Sequence, residues 1–208
     1  MSLSTGRSAL LDSAERLIAA RGIYGVSARE VVKDAGHRNS SAISYHFGSW
    51  HGLLDAIWAR HSPQMNAERA ALVAAIDEPD MKQLVHAYVR PLTTEVTRHP
   101  SYWARFNEQW LASVPLDVLG GPRFDGDSAE YYPLDDSLND LSTLLHRITL
   151  AVDLPEADAR RRVGLVVRFV INAYAAWERD REGHSAPEPE AFESEVEEMA
   201  CAMLQART

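Results

Sequence analysis

Apolar residues recur along this chain at spacings of three and four, the period of helices with one buried face, and no segment alternates convincingly as a half-buried strand does. Leu10, Ala14, Leu17 and Ile18 share one face of a first helix predicted over about Ser8 to Arg21, with Gly22 as its C-terminal stop. Ser27 and Glu30 have the Ser-x-x-Glu spacing of a capping box, which starts a second helix with Val31, Val32 and Ala35 turned inward and Gly36 closing it. A short third helix is expected from about Ser40 to Phe47, capped by Asn39 or Ser40. Gly48-Ser49 then caps a fourth helix carrying Leu53, Leu54, Ile57 and Trp58. Beyond Ser62-Pro63, longer helices are expected near 63–77, 80–98 (with Pro91 as the source of a kink), 101–113, 136–151, 155–182 and 189–206. The Gly-, Pro- and Asp-rich stretch from Gly120 to Asp136 reads as a long loop, and Gly183 to Pro189 as a second.

The second and third helices read as a helix-turn-helix. Such a motif needs a rigid scaffold that presents a narrow helix, with a small polar outer face, to the major groove. Ile43 and Phe47, four apart, can lock the third helix onto the first two. Ser40, Ser41, Ser44 and Tyr45 are then left facing outward, with Arg38 and Asn39 at the helix start, where free amide groups also attract phosphate. The net charge of −9 argues against nucleic acid until its distribution is considered. Residues 1–61 hold seven Lys/Arg against five Asp/Glu, a net of +2, so the remainder carries −11. Four of the eight histidines, His37, His46, His51 and His61, also fall in that first segment. A weakly basic end on an acidic body suits one DNA-facing pole.

The string Ala35-Gly36-x-Arg38-Asn39-x-Ser41-Ala42-x-x-Tyr45-His46-Phe47-Gly48-Ser49, followed by Leu53-Leu54, resembles the second helix, recognition helix and fourth-helix start of the TetR family. The resemblance covers roughly Ser8 to Arg60. It implies an all-α fold: residues 1–48 a three-helix helix-turn-helix DNA-binding domain extended by a linking helix over 49–61, and residues 62–208 a ligand-binding and dimerisation bundle. It implies base contacts from Arg38, Asn39, Ser40, Ser41 and Ser44, and phosphate contacts from Tyr45, His46, Ser27, Arg29 and Arg7. Two departures stand out. Between Gly36 and Tyr45 the chain is one residue longer than the commoner family pattern, which shifts the register of base contacts, and Trp50 stands where many members carry a lysine, so His51 or helix amides take over that phosphate contact. Each residue also has a plainer reading: Arg29 as a solvated charge, Tyr45 as packing, His46 as a structural hydrogen-bonder.

Two half-sites on DNA call for a two-fold protein, so a homodimer bound to a near-palindromic operator is expected. The last two helices are the dimerisation candidates: Val163, Val167, Val170 and Trp177 on the first, and Phe192, Val196, Met199 and Met203 on the second. The plain alternative for these residues is an intramolecular bundle. Tyr102, Trp103, Phe106 and Trp110 make an aromatic-rich helix, and His86, Tyr88, His146, Asn172 and Tyr174 are polar handles for a small lipophilic or aromatic effector. Aromatics at this spacing also serve as ordinary core.

With 46% hydrophobic and 25% charged residues the chain can build a packed core, and the single cysteine, Cys201, excludes an internal disulfide framework and a multi-cysteine zinc site. No signal peptide is expected, and Arg168 and Asn172 interrupt the longest apolar run, so the expected location is cytoplasmic. No cofactor, metal or catalytic motif is read: His-Glu-x-x-His, a glycine-rich phosphate loop and Gly-x-Ser-x-Gly are all missing. The expected function is a DNA-binding transcription regulator, a repressor released by a small ligand. Alternatives are a regulator that is constitutive or controlled by a protein partner, and an all-helical enzyme.

Overall fold

The computed structural model describes residues 3–39, 41–98, 101–112 and 139–206. Among them the chain is helical throughout, without a strand: α1 Leu3–Arg21, a 3-10 turn at Ile23–Gly25, α2 Ala28–Asp34, α3 Ala42–Phe47, α4 Trp50–Ala74, α5 Met81–Thr97, α6 Trp103–Leu111, α7 Asn139–Ala151, α8 Glu156–Glu182 and α9 Pro189–Gln205. The expected loop from Gly120 to Asp136 and Ser40, expected at the start of the third helix, lie outside the described residues.

Local chemistry sets the helix ends. Ser27 accepts from the Glu30 amide while the Glu30 carboxylate accepts from the Ser27 amide, closing the reciprocal box that starts α2. Asp80 and Gln83 close a second such box on α5, and Pro189 opens α9, where a missing N–H costs nothing. Glu156 and Asp158 in the first turn of α8 and Arg179 and Arg181 in its last complement the helix dipole.

Leu10, Ala14, Ile18, Val31, Ile43, Leu53 and Ile57 pack α1 to α4 around one small core. That core continues without a gap into the body, where α5 and α8 run among α4, α6, α7 and α9. Two predicted boundaries differ. The break at Ser62-Pro63 is absent: α4 runs through Pro63, because Trp58, Ser62 and Met65 are buried along one face and hold the helix together. The carbonyl that Pro63 cannot serve belongs to exposed Ala59, and the Ser62 hydroxyl donates to the Trp58 carbonyl at 2.7 Å. The third helix starts at Ala42, so Arg38 and Asn39 lie in the preceding turn instead of at the helix start. Asn39 Oδ1 accepts from the Ser41 amide at 3.0 Å and the Ser41 hydroxyl at 2.7 Å, a local turn that holds off the helix.

Candidate nucleic-acid interface and adjoining cavities

Helices α2 and α3 meet through a turn that begins at Gly36, whose φ of 72° is a left-handed conformation that glycine adopts without strain. Ala42 and Ile43 are buried against the core, which leaves Ser41, Ser44 and Tyr45 exposed, Tyr45 by 72%. His46 is half-buried, its ring edge-on to Tyr45 at 4.9 Å and near His37 and Phe47 at 6.1 Å each. His37 Nε2 donates to the Gly6 carbonyl at 3.1 Å, tying the turn to the start of α1. At the other end of α3, a methyl on Gly52 would stand 2.1 Å from the Phe47 carbonyl oxygen, so only glycine allows α3 and α4 this approach.

The cations of this end divide into two groups. Arg16, Arg21 and Arg60 are committed to Asp34 at 2.5 Å, Glu30 at 2.8 Å and Asp12 at 2.6 Å. Arg7, Arg29, Lys33 and Arg38 are exposed and enter no ion pair among the described residues; Arg7 lies 4.9 Å over the Phe47 ring. Ser27 serves its own cap, and its hydroxyl, the largest influence, together with its amide and Arg21, pulls the Glu30 carboxyl down to about 2. His51 is exposed in the first turn of α4 and Ser49 caps that helix by accepting from the Gly52 amide. The free arginines, the exposed hydroxyls and Tyr45 therefore share one small module, while the acids of that module are mostly spent on the other arginines.

The module joins the body through α1, α4 and α6. His61, on α4, is the junction: Nε2 lies 3.0 Å from Glu15 on α1 and Nδ1 lies 2.7 Å from Glu95 on α5. A ring whose two nitrogens both face carboxylates is held as imidazolium, since only then do both donate. Burial works against the charge, but the two carboxylates outweigh it and carry His61 up to about 9. Arg60 lies 3.8 Å from Glu15, Arg98 lies 3.0 Å from Glu95, and Arg16 and Tyr102 border the same cleft. The His61 ring stacks on Trp103 at 4.4 Å. Sequence reading did not single out His61 because its partners come from 46 and 34 residues away.

Trp103 in turn meets Trp58 edge-on at 4.8 Å, and Trp58 meets Trp110 at 5.1 Å. These rings wall a cavity of about 50 Å³ with Met65, Arg69, Tyr88, Leu92, Asn107, Leu111, Leu141, Leu145, Val167 and Ile171. Of the pocket candidates, Tyr88, Trp103 and Trp110 are brought together here. Phe106 is fully buried behind them, stacked on Trp103 at 5.9 Å, and Tyr174 is buried with its hydroxyl 2.5 Å from that of Thr93. Three polar handles fall elsewhere. Asn172 is exposed on the outer face of α8, and His146 is half-buried on α7 away from the cavity walls. His86 pairs with Glu197 of α9 at 2.7 Å. His86, Glu193 and Glu197 bring three potential metal-ligand atoms within 4.8 Å, although Arg90 already neutralises Glu193 at 3.1 Å.

Arg69 is 3% exposed on this wall; burial pulls its guanidinium down to about 10, still protonated at neutral pH. Glu178 of α8, also buried, accepts from the Ser101 hydroxyl and the Ala104 and Arg105 amides, so α8 caps the start of α6. Burial is the largest influence on Glu178 and raises its carboxyl.

The predicted dimer stripe lies mostly inside the chain's own bundle. Val163, Val167, Val170, Trp177 and Val196 are buried within one protomer, where α8 and α9 pack against α5, α6 and α7. Phe192 is half-buried against Tyr174 and Trp177, and Met203 is half-buried. Of the named residues Met199 is open, by 46%, and on α8 the open apolar residue is Leu165, also by 46%. The periodicity seen in the sequence marks the inner faces of these helices, the intramolecular alternative.

No helix among the described residues is long and apolar enough to cross a membrane. Residues 10–57 match the family described as bacterial regulatory proteins, tetR family. No curated protein matches the chain significantly. Among solved structures, a protein assigned to the TetR family of transcriptional regulators from Rhodococcus sp. is 16% identical, with 96% of this chain and 99% of the other covered and a TM-score of 0.55. A second protein assigned to that family, from Shewanella sp. PV-4, is 17% identical over 96% of this chain and 95% of the other, with a TM-score of 0.52. At these identities the two structures share the fold of this chain over nearly its whole length.

Proposed function

Through residues 10–57 this chain belongs to the TetR family of DNA-binding transcription regulators, and on that premise we propose that it is a repressor, released from a near-palindromic operator by a small apolar ligand. The observation that carries the DNA-binding half is the grouping of unpaired Arg7, Arg29 and Arg38 with exposed Ser41, Ser44 and Tyr45 on one module. In this reading Ser40, Ser41, Ser44 and the turn residues Arg38 and Asn39 approach base edges, and Arg7, Ser27, Arg29, Tyr45, His46 and His51 approach phosphates. It acts in the cytoplasm, as a homodimer joined through the outer faces of α8 and α9 around Leu165 and Met199, and it has no enzymatic step.

Release requires a ligand that favours one arrangement of the body over another. The aromatic cavity and the His61 junction support such coupling, because Trp103 borders the cavity on one side and stacks on His61 on the other. A ligand that spreads α4 from α6 acts on the Glu15–His61–Glu95 bridge and hence on the tilt of the module. A second reading, a regulator controlled by a protein partner, is favoured by the small size of the cavity, about 50 Å³.

Selection of bound sequences from a random DNA pool, near physiological salt, tests the DNA-binding half. The expected result is a near-palindrome with one fixed half-site spacing. Recovery of no motif, with and without cell extract, overturns it. Release of the selected DNA by small apolar compounds separates the ligand-controlled reading from the partner-controlled one.

A further inference from the structure

The cavity wall is unusual in its polar inventory. Arg69 stands 97% buried beside Trp58, Trp103 and Trp110, and among the described residues it is in ion-pair contact with no carboxylate, although Asp140 and Glu68 are near enough to act on its charge. Among the described residues its one hydrogen bond runs from an Nη to Asn66 Oδ1 at 2.5 Å, and Nε has no partner. The indole Nε1 atoms of Trp58 and Trp103 are likewise buried and without partners. Among the described residues, every buried polar side-chain atom left unpaired on these walls is therefore a nitrogen donor, and one of them belongs to a full positive charge. A buried guanidinium without an anion is costly, and orphaned donors lose their hydrogen bonds with water outright. Both costs vanish if the occupant brings acceptor oxygens and a negative charge.

We propose that this cavity is a site for an apolar carboxylate, whose body lies among Trp58, Trp103 and Trp110 and whose carboxylate pairs with Arg69. The inference rests on the ligand-controlled reading above and names the chemistry of its ligand. Arg69 also borders an outer groove of about 260 Å³ on α4 and α7, where Arg147 adds a second cation and Asp140 offsets part of it. The carboxylate thus has a cationic approach, and the guanidinium forms the partition between groove and cavity. A planar guanidinium matches a carboxylate in the two-point geometry that an ammonium or an amide lacks. The inner cavity, about 50 Å³, is too small in this arrangement for an aromatic or acyl body, so binding selects a wider one. That is the differential affinity on which control depends, and the walls that must part are α4 and α6.

The test is calorimetric titration of the full-length protein with 2-naphthoate and decanoate against their neutral counterparts, 2-naphthamide and decanol, in wild type and in Arg69→Met. The expected result is binding of the carboxylates at least about tenfold tighter than the neutral compounds, with that preference lost in R69M. R69M removes the cation together with its contact to Asn66 and is expected to stay folded by circular dichroism, so the lost preference reads the missing charge; a carboxylate preference that persists in folded R69M overturns the inference. Equal binding of charged and neutral compounds to wild type also overturns it but keeps a ligand-holding body. No binding of any compound, by protein that still holds its selected DNA, overturns both the inference and the ligand-controlled reading.

Discussion

Tyr45 presents most of its ring to solvent on the outer face of α3, where burial gives it no reason to be aromatic. Tyr45→Ala is expected to weaken operator binding about tenfold, a loss of the order of one charge-assisted hydrogen bond, while melting temperature and dimer mass stay the same. Binding to the selected DNA, followed at several salt concentrations, checks this; unchanged affinity would remove Tyr45 from the interface. Gly52 makes the opposite kind of prediction. A methyl there meets the Phe47 carbonyl oxygen at 2.1 Å, so Gly52→Ala forces α3 from α4 and is expected to cost about 2 kcal/mol or more in chemical denaturation. Both residues sit in a stretch whose local fold was partly readable from sequence, since the Ser27 and Ser49 caps, the turn glycine Gly36 and the i, i+4 anchors Ile43 and Phe47 act over a few residues, whereas the cap of α3 fell on Ser41 and Gly52 gave no signal.

At the scale of elements, local signals were reliable where they were self-contained and failed where distant contacts decided. The Ser27–Glu30 box formed as its spacing implied, and Ser27→Ala is expected to cost about 1 kcal/mol of stability, measured by urea melts. Pro63 misled because proline's missing amide is a local fact, whereas the burial of Trp58, Ser62 and Met65 that carries α4 through it is not. The joint of α1, α4 and α5 at His61 was equally invisible, as neither carboxylate is near in sequence. Its pH consequence has a definite sign. His61 is lifted from the ordinary 6.5 to about 9, so its contribution to stability is fully present below 6.5 and is lost as pH rises through about 9. Denaturation midpoints at pH 6, 7.5 and 9.5 are expected to fall for wild type and to stay flatter for His61→Gln. Equal slopes in the two proteins would show that Glu15 and Glu95, with Arg60 and Arg98 beside them, do not hold an imidazolium.

On the scale of the whole molecule, the helical architecture and the N-terminal helix-turn-helix were legible, but the body's surfaces were not. A heptad-like stripe says that a face is buried, not whether a neighbouring helix or a second subunit buries it, and α8 and α9 turned their stripes inward. The same ambiguity hid Arg69, which in sequence is one charged residue on a polar-looking helix and in space stands among three tryptophans. If the outer faces of α8 and α9 join two subunits, Leu165→Asp with Met199→Asp is expected to yield folded monomers by sedimentation and to abolish binding to the full palindrome. A double variant that remains dimeric would place the contact elsewhere.

The unbroken course of α4 has a consequence in mechanical terms. From His61 back to Trp50 the helix is a stiff arm of roughly 17 Å at 1.5 Å per residue, fixed at one end to the aromatic cavity and at the other to α3. A tilt of about 6° at the cavity end moves its tip by roughly 2 Å, and in a two-fold pair the tips part by about 4 Å, more than the ~3.4 Å rise of one base pair. A break at Pro63 would have uncoupled this arm from the part of α4 that carries Met65 and Arg69 on the cavity wall. In the proposed dimer the continuous helix is therefore a lever: a tilt of a few degrees at the cavity end would separate the two module tips by about one base-pair step.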